Sequence, residues 1–221
     1  VITDLETTKR RVIDAALAMV AKGLVEGTAG NVSARTDDDL VVMTPSSMPY
    51  DAITPDNVSV VRLDGTQVSG ANPTSEKALH LACLRRYPEV GGVLHCHATT
   101  ASMFAVARRP VPAVIEEVIV YLGGEVPVAG YEPTGSDELA EEVAGHVADR
   151  SAVLMANHGL LAVGKDVEDA LHNALLAERT AAVVYGAEVL GGIVPLPEET
   201  VTNFTNIYGY LRSRTWRPEP T

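Results

Sequence analysis

Strand-length apolar runs and helix-length amphipathic stretches follow one another along this chain without strict β–α alternation, and that order leaves few folds open. Ile13, Leu17 and Val20 recur on one face of a helix over residues 4–25, bracketed at its end by Gly23 and Gly27. Short strands are expected over residues 31–35, 40–43 and 58–63, the last followed by the hairpin signal Asp64-Gly65. Thr74-Ser75-Glu76, behind Pro73, opens a helix running to about residue 87. A buried strand over 90–96 leads to a helix over 99–107, stopped by Arg108-Arg109-Pro110. An amphipathic helix over 136–149 takes Ser136 as its N-cap. Strands over 151–155 and 160–163 flank the tight Asn157-His158-Gly159 segment. A long helix from Asp166 toward Leu190 and a last one over 197–216 complete the pattern. This order predicts a single α/β domain spanning 1–221, with a central, largely antiparallel sheet and helices on both faces.

Composition narrows the partners. A net charge of −12 argues against a general nucleic-acid binder, which needs basic surface to displace counterions. It leaves a phosphorylated substrate open, because a metal ion and backbone amides can hold one phosphate locally. No apolar run is long enough to cross a bilayer, so no membrane partner is expected. No basic segment followed by an apolar one opens the chain, and Cys83 and Cys96 cannot form a disulfide framework; a reducing cytoplasm is the simpler expectation.

Six histidines are present, in different contexts. His95 and His97 follow the apolar pair Val93-Leu94, and at a strand's period of two both rings leave the same face. Cys96 between them points the other way, into packing. Two imidazoles there can share one divalent ion, which wants further ligands from elsewhere; His158, in its tight turn, is the best candidate. His146 and His172 lie in polar helices, and His80 sits one turn beyond Glu76, suited to a supporting or packing role. Glu76 has two readings. One is a carboxylate favoured by the helix macrodipole, the other a base beside a metal, and spacing alone does not separate them.

Three loops are suited to an anion. They are Gly27-Thr28-Ala29-Gly30-Asn31-Val32-Ser33, Thr44-Pro45-Ser46-Ser47, and Thr74-Ser75 at a helix N-terminus. None is a P-loop or a dinucleotide fingerprint.

The order of these pieces is more specific than any one of them: Gly-Thr-x-Gly-Asn-x-Ser, Thr-Pro-Ser-Ser-x-x-Tyr, Thr-Ser-Glu, His-x-His, Asn-His-Gly-Leu. From about Thr8 to Ala187 the chain resembles the class II sugar-phosphate aldolase family. The resemblance implies an α/β/α fold with a nine-stranded, mainly antiparallel sheet, and a homotetramer with active sites between subunits. It implies that His95, His97 and His158 ligate Zn²⁺, with Mn²⁺ or Fe²⁺ as other ions that suit three imidazoles. Glu76 matches the acidic residue that ligates the empty metal and then acts as base. Gly30, Asn31, Ser46, Ser47, Thr74 and Ser75 match phosphate-binding positions. The implied reaction cleaves a ketose 1-phosphate, such as L-fuculose 1-phosphate, to dihydroxyacetone phosphate and a small aldehyde through a zinc-stabilised enediolate.

One departure stands out. Fuculose aldolases place a tyrosine from the adjacent subunit before the Gly-Gly pair, where it protonates the aldehyde oxygen. Here Glu117 occupies that position, and Tyr121, Tyr208 and Tyr210 are other possible acids. Dehydration or decarboxylation of a sugar phosphate is therefore the alternative chemistry. Adducin-type modules share the fold but lack the metal histidines, all three of which are present in this chain.

Overall fold

The computed structural model describes residues 3–216. Its strands are β1 (Asn31–Arg35), β2 (Leu40–Met43), β3 (Ser59–Arg62), β4 (Gln67–Ser69), β5 (Gly92–Cys96), β6 (Val128–Ala129), β7 (Ala152–Met155) and β8 (Gly159–Gly164). The helices are α1 (Leu5–Ala21), α2 (Lys77–Arg86), α3 (Thr99–Ala107), α4 (Glu116–Leu122), α5 (Asp137–His146), α6 (Val167–Val189) and α7 (Glu198–Thr215). One sheet runs in the order β4-β3-β2-β1-β5-β8-β7-β6. Every neighbouring pair is antiparallel except β6 with β7. The expected layers are present. The expected nine strands are not: eight form the sheet among the described residues, and its far edge is the two-residue parallel strand β6.

The central strands are buried on both faces, and their alternation assigns each residue to a layer. Leu94, Cys96, Leu154, Leu160 and Ala162 pack into one core with α1, α3 and α6. Val93, Val153, Met155, Leu161 and Val163 pack into the other with α2 and α5. Cys96 thus points away from the histidines beside it, into aliphatic packing. The expected cap Ser136 is made, its Oγ accepting from Leu139 N at 3.1 Å. The capping signal at Thr74-Ser75 is not realised: Glu76 takes the N-cap position of α2 without a side-chain bond. Asp166, where the long helix is expected to begin, caps it, Oδ1 accepting from Asp169 N at 2.9 Å. α4 was not expected as a helix. Two glutamates in its first turn and left-handed Gly123 after its last residue are the local signals for it. No helix among the described residues is long and apolar enough to cross a membrane.

Candidate metal site

The site forms where β1 begins, β5 ends, and the β7–β8 turn meets the start of α2. Asn31 and His95 are register partners across β1 and β5. His97 lies one residue past the strand and keeps its parity. The β7–β8 turn is tight, with Asn157 left-handed at φ 57° and His158 N donating to Met155 O at 3.0 Å. Gly159 then enters β8 against the pair. A Cβ there would lie 2.5 Å from Cys96 O and 3.0 Å from His97 Cδ2, so glycine lets β8 approach the histidines.

Three rings converge edge to edge, with centroids 4.9, 4.7 and 5.2 Å apart. One nitrogen from each of His95, His97 and His158 lies within 4.8 Å of the others. His95 Nε2 is 3.1 Å from His97 Nε2 and 3.3 Å from Glu76 Oε2, and His158 Nε2 is 3.5 Å from Glu76 Oε1. Nitrogens sharing one tetrahedral zinc at about 2.0–2.1 Å sit roughly 3.3 Å apart, so these spacings suit a single ion. The protons agree. His95 Nδ1–H donates to Leu160 O at 3.0 Å, which leaves the lone pair of Nε2 facing another imidazole and an acceptor-only carboxylate. Glu76 Oε1 is buried with no hydrogen-bond donor. A cation between these groups satisfies all of them, and the donor set fits a divalent metal.

Electrostatics holds the groups in ligating form. His95 is fully buried, and burial pushes its pKa down to about 3 against the opposing pull of Glu76. Burial and the neighbouring His158 lower His97 as well. Burial alone would raise Glu76, but His95, the Asn31 hydrogen bond and His158 together outweigh it and hold the carboxylate below its ordinary range. Neutral imidazoles beside an ionised carboxylate are what a metal requires. Glu76 stands at the N-cap of α2 but makes no capping bond, and its carboxylate turns to the histidines and Asn31.

A cavity of about 170 Å³ opens over this cluster, lined by all three anion loops together with Glu76, His97 and His158. Gly30, Asn31, Ser46, Ser47, Thr74 and Ser75 all reach it. The loops are fastened to each other: Ser46 N donates to Asn72 O at 2.9 Å, Thr74 N to Thr44 O at 3.1 Å, and Tyr50 Oη–H to Gly30 O at 2.7 Å. Gly30 has φ +102°, and a Cβ there would lie 2.7 Å from His95 O, so this loop also needs its glycine beside the metal cluster. Thr134, from the loop before α5, completes the lining; nothing in its local sequence marks it. Among the described residues no lysine or arginine lines the cavity, so an anion there would meet hydroxyls and backbone amides.

The possible acids lie elsewhere in the chain. Glu117 and Tyr121 line a separate cavity of about 260 Å³ between α4 and α6. There Glu117 meets Arg179 at 3.3 Å and Tyr121 packs edge-on to His172. Tyr208 is buried against Ser151 and Arg212, anchoring α7, and Tyr210 is exposed.

Comparison with known proteins agrees with this geometry. Residues 10–185 match the family described as Class II Aldolase and Adducin N-terminal domain. The chain belongs to this family. It is 35% identical to the L-fuculose phosphate aldolase of Escherichia coli K12 over 162 residues, 73% of this chain and 75% of that one. It is 34% identical to the L-ribulose-5-phosphate 4-epimerase UlaF of Salmonella typhi over 208 residues, 88% and 91% of the two chains. A solved L-fuculose 1-phosphate aldolase superposes with a TM-score of 0.87 at 30% identity, over 92% of this chain and 96% of the other.

Proposed function

We propose that this class II aldolase-family enzyme is a divalent-metal aldolase that cleaves a ketose 1-phosphate to dihydroxyacetone phosphate and a small aldehyde. The observation that carries the reading is the convergence of His95, His97, His158 and Glu76 at a cavity walled by the three anion loops, with Glu76, His97 and His158 in its lining. His95, His97 and His158 would hold the ion, zinc being the first choice. When bound, it would supply Lewis-acid polarisation of the substrate's carbonyl and stabilise the charge left on the α carbon as the bond from that carbon to the β carbon breaks. Ser46, Ser47, Thr74, Ser75 and the Gly30–Asn31 backbone bind the phosphate and fix the sugar's orientation. Glu76, ionised and held by Asn31, carries the proton to or from the carbon beside the carbonyl. The group that takes the proton from the hydroxyl becoming the aldehyde, and returns it in the reverse direction, comes from a neighbouring subunit of a homotetramer, since Glu117 and Tyr121 lie away from the cavity of their own chain. A cytoplasmic setting suits this chemistry.

The test is direct. Zinc-loaded protein should release dihydroxyacetone phosphate from fuculose 1-phosphate or a related ketose 1-phosphate, and no release from a panel of these sinks the reading. The UlaF relative, matching more of the chain at nearly equal identity, supports a second reading as a sugar-phosphate epimerase. Product mass separates the outcomes: two fragments for cleavage, an unchanged mass for epimerisation, and loss of water or carbon dioxide for dehydration or decarboxylation.

A further inference from the structure

One fully buried histidine takes no part in the metal cluster. His80 lies on α2 one turn after Glu76, and both of its ring nitrogens are engaged. Nε2 bonds Asn31 Oδ1, and Nδ1 lies 2.7 Å from Ser33 Oγ. Asn31 in turn donates from Nδ2 to Glu76 Oε2 at 2.9 Å. Asn31 and Ser33 are two residues apart on β1, so both side chains leave the same face of the sheet, toward α2. The result is a buried path Ser33–His80–Asn31–Glu76.

The direction of every bond in this path follows from its last member. An ionised carboxylate only accepts, so Asn31 must turn its NH₂ to Glu76 and its carbonyl oxygen to His80. His80 must then donate from Nε2. Burial lowers the ring's pKa to about 4, so it is neutral and its Nδ1 must accept. Ser33 Oγ–H is the donor that fixes this tautomer. We propose that His80 is a positioning residue for Glu76: the Ser33–His80–Asn31 chain locks the Asn31 amide so that the carboxylate is held in one orientation beside the histidines. The inference rests on the reading of Glu76 as the proton carrier.

The test compares metal-loaded wild type with His80→Phe, His80→Gln and Ser33→Ala. His80→Phe should lower kcat about 10–100-fold with KM changed less than about threefold. His80→Gln, which can still donate to Asn31, should recover to within about fivefold of wild type. In an Asn31→Ala background His80→Phe should have no further effect, because His80 acts through Asn31. Crystal structures give a readout independent of turnover: the Asn31–Glu76 bond should be lost in His80→Phe and kept in His80→Gln. Retention of that bond in His80→Phe, or equal loss of kcat in the Phe and Gln variants, overturns the proposal. Should His80→Phe not fold, Ser33→Ala decides. Freeing the tautomer should turn the Asn31 amide and lower kcat about fivefold, and unchanged geometry and kcat overturn the proposal. If wild type turns over no sugar phosphate, the functional reading has failed separately, and the crystal comparison alone judges the positioning.

Discussion

Gly159→Ala probes the closeness of β8 to the metal histidines. The added Cβ would stand 2.5 Å from Cys96 O, 3.0 Å from His97 Cδ2 and 3.2 Å from His95 Cε1. Real Cβ atoms essentially never come within 3.0 Å of such neighbours, so the strands must part by at least 0.5 Å there (3.0 − 2.5). The displacement falls on the pairs His95↔Leu161 and Cys96↔Leu160, and on the Leu160 oxygen that accepts from His95 Nδ1. Overpacking of this kind costs about 1–3 kcal/mol. With an unfolding entropy of about 2 cal/mol/K per residue, that is a Tm fall of roughly 2–7 °C for a chain of this length. The same shift misdirects the His95 ring, which should weaken metal binding about 10–100-fold. Calorimetry of the metal-free proteins reads the first effect, and competition against a chromophoric chelator reads the second. An unchanged metal affinity with Tm within about 1 °C of wild type would refute the reasoning.

Three other perturbations test the site. Glu76→Gln keeps the shape and can still accept from Asn31, so it should retain metal while kcat falls about 10²–10⁴-fold; near-normal turnover of the metal-loaded variant excludes Glu76 as the base. His95→Ala should lose metal and activity together, as read by elemental analysis and product release, and a fully loaded variant contradicts its place as a ligand. The metal-free protein should lose stability on acidification. His80 and His95 titrate at about 4 and about 3 when folded, below the unfolded value near 6.5, so the unfolded chain binds protons first and stability falls as pH drops below about 6.5. Glu76, depressed when folded, adds to the loss further down as pH passes its folded pKa. For His80 alone the loss at pH 5 is about 2 kcal/mol; equal Tm at pH 5 and pH 7 would contradict it.

Much of this was legible in the sequence because local rules and tertiary packing agree. Thr99–Ala107 is a helix with the expected ends, the expected cap Ser136 is made, and the long helix starts at Asp166 as expected. The central strands read as near-continuous apolar runs because both of their faces are covered. The candidate metal and anion residues come from separated loops that strand register brings together, and the order of the motifs is the sequence's sign of them. What escaped depends on contacts distant in sequence. Gly159 reads as a turn glycine until β5 is placed against it. The role of His80 depends on Asn31 and Ser33, 49 and 47 residues away. Thr134 reaches the cavity from a loop with no marker of its own. Glu76 has two physically sound readings in the sequence, and its contacts with Asn31 and the histidines, 45 residues and 19 or more residues away in the chain, are not visible there.

The division of the site into two halves bears on how one fold can serve relatives with different reactions. The half built by this chain suits an anion and a Lewis acid and keeps an ionised carboxylate beside them. Those parts serve any reaction that begins by labilising a bond on the carbon beside a carbonyl, so their presence selects a class of chemistry and leaves the outcome to the group that exchanges a proton with the substrate's far oxygen. Among the described residues that group is absent from the cavity's own lining, where Thr134 is the one polar residue outside the anion loops and the metal cluster. Glu117 and Tyr121 are therefore the residues whose substitution should change which product forms while leaving metal binding intact. Glu117→Tyr, which restores the residue found there in fuculose aldolases, should shift product mass toward two fragments if wild type yields any other product. If wild type already cleaves, Glu117→Gln should slow product release with metal content unchanged. A Glu117→Gln variant with unaltered products and rate assigns the acid to another residue.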